Sequence, residues 1–251
     1  MAGKKFTEKH RITYYEGDQT GKATIPMLMN IMILASEDQS EALNVGSDVV
    51  DPTGLGWVVT QYVINVKRLP SIDEVVEVGT EAVNHNDYFC QRDFWISDEN
   101  GEEIVRVTSI FVLMNRTTRK MSKLLPEVIG PYESEPVKRI VRLPKVASTD
   151  SEPIFDQKYA VRYFDIDANH HVNNARYFEW MLNTVDDQWL TEEFPVMINI
   201  RYHREVQPEQ MVQSVVRSIE SDDDSKRTLH QVLVNDEVYC EAEIEWQPRL
   251  V

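Results

Sequence analysis

Apolar residues recur along this chain with two different periods. Alternation over short runs predicts strands near Phe6 to Tyr15, Trp57 to Val66, Val75 to Asn84, Tyr88 to Ser97 and Ile104 to Asn115. Between the first two runs lies MLMNIMILASEDQSEAL, which is apolar on nearly every side at its start. It opens on Pro26, whose fixed φ suits a first helical turn, and Asn44 and Gly46 stop it. Asp98-Glu99-Asn100-Gly101 is a hairpin signal, so the four strands after the helix read as an antiparallel meander.

The same plan then repeats. A strand is expected near Gln157 to Tyr163, a helix near Asn174 to Leu190, and strands near Val196 to His203, Met211 to Glu220, Arg227 to Val234 and Val238 to Trp246. Tyr177, Trp180, Met181, Thr184, Val185 and Trp189 form a helical stripe able to lie on one sheet face. Gly130-Pro131 through Pro136, then Leu143-Pro144 up to Pro153, reads as a linker. The expected organisation is therefore an α+β chain of two similar domains, 1–130 and 154–251, joined by 131–153. Each half would place a long helix on an antiparallel sheet.

Composition narrows the function. A length of 251 residues with 42% hydrophobic and 27% charged positions suits a folded globular protein. The net charge of −16 repels phosphate backbones and anionic lipid, so neither nucleic acid nor a membrane is an expected partner. An acidic protein partner would need a local basic patch, and Arg116, Arg119, Lys120 and Lys123 form the densest one, although a solvated face explains them as well. Cys90 and Cys240 stand far apart without a CxxC pattern and are expected to be buried, inert thiols. The polar N-terminus lacks the apolar run of a signal peptide, and no segment approaches the roughly 18 apolar residues of a membrane span, so a cytoplasmic protein is expected.

The segment from Arg162 to Asn174, RYFDIDANHHVNN, carries the chemistry. Single Asp or Asn residues would be explained by turns and caps, but two Asp, three Asn and two His crowd this loop just before a helix. Asp165-x-Asp167-x-Asn169 opens like a calcium loop, yet His170 replaces the required Gly and Arg176 the required Glu. Zinc is disfavoured because adjacent histidines diverge and no third ligand is suitably spaced. A helix N-terminus favours developing negative charge, which suits acyl transfer. No metal or other cofactor is expected.

This segment resembles the D-x-D-x-N-x-H-V-N-N motif of the acyl-acyl carrier protein thioesterases, the plant plastid enzymes and their bacterial relatives. The resemblance extends to Trp57-Val58-Val59-Thr60, Met114-Asn115-Arg116-Thr117-Thr118-Arg119 and Tyr202-His203-Arg204-Glu205, and so covers nearly the whole chain. It implies a tandem hotdog fold and hydrolysis of fatty acyl groups from acyl carrier protein, terminating chain growth in fatty acid biosynthesis. It also implies Asp167, Asn169, His171 and Glu205 as the catalytic set. Val206 stands where many plant members carry a cysteine, which removes a cysteine nucleophile. The missing plastid leader points to a bacterial member, and a homodimer is left open.

Thioester hydrolysis needs a nucleophile, donors for the oxyanion and a route for protons. Glu205 is expected to activate water while Asn169 orients that water or the carbonyl, with Asp167 holding His171 and stabilising its cation. Direct attack by Asp167 stays open. Apart from the resemblance, Glu205 is equally explained by an ion pair with Arg201 or Arg204. Aligning Asp18 with Asp167 and Arg68 with Arg204 places Gly21-Lys22 near Asn169-His171 and Leu69 opposite Glu205, so the first half lacks the acid–base set. That half is expected to mould the acyl tail, with Met27, Met29, Met32 and Ile33 lining an adaptable slot. Two other readings stand beside this one: a 3-hydroxyacyl carrier protein dehydratase, and a non-catalytic acyl-binding module.

Overall fold

The structure, a computed structural model, describes residues 3–167, 171–220 and 225–249. The first half runs β1 (Lys5–Arg11), α1 (Ile25–Ala42), a short α2 (Ser47–Val50), β2 (Leu55–Val66), β3 (Val75–His85), β4 (Phe89–Ser97), β5 (Glu103–Asn115), β6 (Met121–Ser122) and α3 (Pro126–Ile129). After β7 (Glu135–Pro136), the second half runs β8 (Pro153–Ala160), α4 (Asn174–Leu182), α5 (Asp187–Glu192), β9 (Glu193–Tyr202), β10 (Met211–Ile219), β11 (Lys226–Val234) and β12 (Glu237–Pro248).

Among the described residues the strands form one sheet in the order β1-β3-β4-β5-β2-β9-β12-β11-β10-β8, with β6 beside β5 and β7 beside β3. The second half repeats the first in reverse order across the β2–β9 seam, where Gln61 faces Arg201 and Asn65 faces Met197. Of the four strands after α1 only β3-β4-β5 form a meander, repeated by β10-β11-β12 in the second half. β2 lies on the far side of β5, because its alternate residues Tyr62, Ile64 and Val66 are at most 4% exposed and so belong at the centre of the sheet. Tyr62, Ile64, Ile198 and Ile200 join one core that also takes the buried faces of α1 and α4, and the two helices pack on each other. This is the expected α+β tandem hotdog.

Sequence periodicity misplaces several boundaries, each for a local reason. β1 ends at Arg11 rather than Tyr15, because the Thr13 N–H donates to Glu16 Oε2 at 2.6 Å and closes a 3-10 turn over Tyr14–Glu16. β8 ends at Ala160 because the Arg162 N–H closes the same turn on Asp165 Oδ2 at 2.8 Å. The helix expected from Asn174 to Leu190 is two helices. Thr184 Oγ1 donates back to the Trp180 carbonyl at 2.7 Å, and Asp186 accepts the Trp189 N–H at 2.7 Å as the cap of a new helix. Tyr177, Trp180 and Met181 are buried on α4, whereas Trp189 sits on α5 against Trp246 and Phe155.

The connecting segment is anchored along its length. β7 pairs with β3, Pro153 already belongs to β8, and the Pro144 carbonyl accepts the amides of Gln61 at 2.7 Å and Asn199 at 3.2 Å across the seam. Cys90 and Cys240 are buried, and burial pushes the Cys90 thiol up to about 11 and holds that of Cys240 well above the usual thiol range. Among the described residues, no helix is long and apolar enough to cross a membrane.

Candidate active site

The motif loop hangs from one buried carboxylate. Asp165 is fully buried; its side chain accepts from the Arg162 backbone at 2.8 Å and guanidinium at 2.9 Å and lies 3.5 Å from Arg176. Burial alone would raise its pKa, but the hydrogen bonds and charge of Arg162, with that of Arg176, prevail and hold it below the usual carboxylate range. Its carbonyl accepts the Asn173 N–H at 2.9 Å, and Asn173 caps α4 by accepting the Ala175 N–H at 2.8 Å. Ile166 and Val172 then pair as an isolated bridge between the two ends of the motif loop.

That loop exists twice. In the first half Glu16, Gly17, Ala23 and the cap Thr24 take the places of Asp165, Ile166, Val172 and Asn173, with the same bridge and the same Thr24 N–H to Glu16 carbonyl bond at 3.0 Å. Equal loop lengths refine the expected alignment: Thr20 stands at the sequence position of Asn169, and Lys22 at that of His171. Lys22 turns to Ser71 Oγ at 2.8 Å.

Of the four expected catalytic residues, the structure brings three together and Asn169 lies outside the described residues. Asp167 and His171 close the loop through their backbones: the Asp167 N–H donates to the His171 carbonyl at 2.8 Å, and the His171 N–H reaches Asp167 Oδ1 at 3.3 Å. The contact seen between Asp167 and His171 is thus with the backbone. Glu205 follows β9 and places Oε2 at 3.7 Å from His171 Nε2, with both side chains about a quarter exposed. The neighbouring Val206 is buried, and its N–H donates to the phenol of Tyr177 at 2.9 Å. Desolvation, then the charges of Asp38, Asp167 and Glu41, hold Glu37 of α1 above the usual carboxylate range, so α1 also borders the site.

Sequence reasoning missed the fourth member of this cluster. Arg119, grouped with the surface patch, reaches from the first half into the second: one guanidinium nitrogen pairs with Glu205 Oε1, and Nη1 lies 3.2 Å from His171 Nε2. The rest of the patch is partly neutralised at home, Arg116 by Asp51 and Lys123 by Asp87, while Lys120 is exposed. No local spacing could have shown the Arg119 contact, which depends on how the two halves meet. The residues expected at the acyl tail divide by depth. Met29 and Met32 are buried in the shared core, Met27 and Ile33 are half-buried, and Leu34 is 48% exposed.

Comparison with known proteins shows the family. Residues 3–132 match the family described as Acyl-ACP thioesterase N-terminal domain, and residues 148–248 match the Acyl-ACP thioesterase C-terminal domain. A solved Lactobacillus plantarum structure, described as an oleoyl thioesterase, is 43% identical with a TM-score of 0.95, covering 99% of this chain and 98% of that one. The 12:0-ACP thioesterase of Umbellularia californica is 26% identical with a TM-score of 0.85, covering 98% and 94%. A chloroplastic acyl-carrier-protein hydrolase of Cuphea viscosissima is 29% identical over 98% of this chain, and the chain spans 63% of that relative's length.

Proposed function

Because the chain belongs to the acyl-ACP thioesterase family, we propose that it hydrolyses fatty acyl thioesters of acyl carrier protein, releasing a free fatty acid and the carrier thiol. The observation that carries this reading is the meeting of His171 and Glu205 at 3.7 Å beside the motif loop that caps α4. A carboxylate held next to an imidazole, both partly open to solvent, is equipped to activate water.

Glu205 removes a proton as water oxygen attacks the thioester carbon. The tetrahedral oxyanion lies toward the N-terminal end of α4, where the helix dipole favours negative charge, with Asn169 as a further donor. Collapse breaks the C–S bond, and the proton held by Glu205 passes to the departing sulfur. Val206 leaves no thiol beside Glu205, which supports water over a cysteine nucleophile. Of the basic patch, exposed Lys120 is placed to steer the acidic carrier, with Arg116 and Lys123 partly neutralised by Asp51 and Asp87. The stronger likeness to the Lactobacillus plantarum protein than to the Cuphea hydrolase supports a bacterial origin and a cytoplasmic setting.

The test is to incubate the protein with acyl carrier protein loaded with saturated and 3-hydroxy acyl groups, measuring free thiol and unsaturation. Thiol release lowered by about 10²- to 10⁴-fold in folded Glu205→Gln and His171→Ala is expected. Unsaturation without thiol release would replace hydrolysis by dehydration, and binding without either product would make the chain an acyl-binding module.

A further inference from the structure

We infer that Arg119 is a positioning residue of the second-half site, setting the tautomer of His171 and the direction of the Glu205 carboxylate. The loop that carries it is built for this purpose. Asn115 Oδ1 accepts the N–H groups of Thr117 at 3.1 Å and Thr118 at 2.8 Å, the Asn115 carbonyl accepts the Arg119 N–H at 2.9 Å, and the Asn115 N–H donates to the Lys120 carbonyl at 2.9 Å. These bonds hold Arg119 at a φ of 56°, a left-handed backbone that non-glycine residues rarely adopt. Strain of this kind persists where the surroundings over-determine it. The side chain thereby leaves the basic patch and points at the second-half loop.

The chemistry at its tip follows from the guanidinium having donors only. A contact between Arg119 Nη1 and His171 Nε2 at 3.2 Å needs a lone pair on Nε2, which places the imidazole proton on Nδ1. The other guanidinium nitrogen occupies Glu205 Oε1, leaving Oε2 turned toward His171 Nε2 at 3.7 Å. The charged groups around His171 are Asp167 on its own loop, Glu205 after β9, Arg119 after β5, and Glu37 of α1, which feels the charge of Asp167. Three of these four are carboxylates. Without the guanidinium, the imidazole proton is free to sit on Nε2 and be shared with Glu205 Oε2, 3.7 Å away, which would occupy the proposed base. The first half thus contributes a residue to the chemistry of the second.

This inference rests on the hydrolytic reading for its kinetics alone, so the test pairs kinetics with a measurement that needs no substrate. Nitrogen-15 NMR of the imidazoles, with His171 assigned by its loss in His171→Ala, should show the Nδ1–H tautomer in the wild type at neutral pH. Arg119→Met should move the signal toward the Nε2–H tautomer or the imidazolium, and Arg119→Lys should restore it in part. In the same variants kcat should fall about ten- to a hundredfold, within the usual worth of acid–base positioning. KM for the carrier-linked substrate should change less than about threefold. An unchanged imidazole signal with a loss confined to KM for carrier-linked substrate would overturn the inference and return Arg119 to the docking surface. A tautomer shift in Arg119→Met, found alongside wild-type protein that hydrolyses no thioester, would sink the hydrolytic reading and leave the geometric inference standing.

Discussion

The phenol of Tyr177 accepts the N–H of Val206 at 2.9 Å, tying the helix that follows the motif loop to the backbone next to Glu205. Both residues are buried, so this bond fixes the distance between the two parts of the site. The first half shows what happens without that need. Leu28, four residues past the cap Thr24, stands at the place of Tyr177, and Pro70, next to Leu69, has no N–H to satisfy. Tyr177→Phe should strand a buried donor and cost about 1 to 3 kcal/mol of stability. It should also lower kcat by more than the fraction of unfolded protein explains. Chemical denaturation alongside kinetics measures both, and a stability loss with full turnover per folded molecule would show that Glu205 is held by other means.

Asp165 offers a matched comparison between the halves. Asp165 and Glu16 close equivalent 3-10 turns, and both are held below the usual carboxylate range: burial opposes this, while hydrogen bonds and charge from Arg162 and Arg176, or from Thr13 and His10, prevail. A depressed folded pKa means that each contributes stability that is present above the ordinary carboxylate range and lost as pH falls through the folded value. Asp165→Asn and Glu16→Gln should each lower the melting temperature at neutral pH. Only Asp165→Asn should lower turnover, because the Asp167–His171 loop hangs from it. Equal losses of turnover in both would mean that the effect is general destabilisation.

The residues that share one stretch of chain were legible before the fold was known; those that meet across it were not. Asp167 and His171 lie in a single loop whose crowding of acid, amide and imidazole is visible in sequence, and Glu205 came with the family motif. The two-fold plan was legible too, since apolar alternation repeats in both halves. Arg119 was not, because its partners lie in the other half and its neighbours Arg116, Lys120 and Lys123 make it look like part of a surface patch. The break between α4 and α5 was missed for a related reason. Thr184, Val185 and Trp189 continue the helical stripe, and only the Thr184 hydroxyl turning back on the Trp180 carbonyl shows that the helix ends. Strand order escaped as well, since β2 and β3 are neighbours in sequence but not in the sheet.

A buried histidine sets an acid limit on stability. His230 on β11 is fully buried, its Nδ1 lies 3.1 Å from the Met181 carbonyl, and its Nε2 lies 2.9 Å from Thr228 Oγ1. Burial pulls its pKa down to about 4, so the unfolded chain binds a proton that the folded one does not as pH falls from about 6.5 towards 4. Stability from the neutral ring is complete above the unfolded value and declines through this window by on the order of 3 kcal/mol. The matching first-half residue is Phe94: it faces Thr80 and Val107 as His230 faces Val216 and Ala242. Unfolding of His230→Phe measured from pH 7 to pH 4 should lose this part of the acid dependence. A variant with the wild-type slope across that window would assign the slope to other groups.

The course of the acyl tail is the last expectation that the geometry makes testable. Glu37 of α1 feels the charge of Asp167, which puts α1 on the side of the proposed site. One turn back on the same helix face stands Ile33, and a further turn back stands Met29, because side chains four residues apart lie above one another. Ile33 is half-buried and Met29 is 3% exposed, so this ridge runs from the rim of the site into the shared core. A tail following it would pass Ile33 first and reach the Met29 and Met32 thioethers at its end, where flexible side chains can repack around guests of different length. The alternative is that both methionines only fill the core, and the two cases differ in what enlargement does. Ile33→Trp at the half-buried step should narrow the passage and shift product release toward shorter acids at little cost in stability. Met29→Ala should extend the range to longer acids, at about 2 to 5 kcal/mol if the cavity stays empty and less when an acyl chain fills it. Release profiles across a series of acyl carrier substrates, with melting temperatures measured with and without bound fatty acid, decide the matter. Folded variants whose chain-length profiles match the wild type would place the tail away from α1.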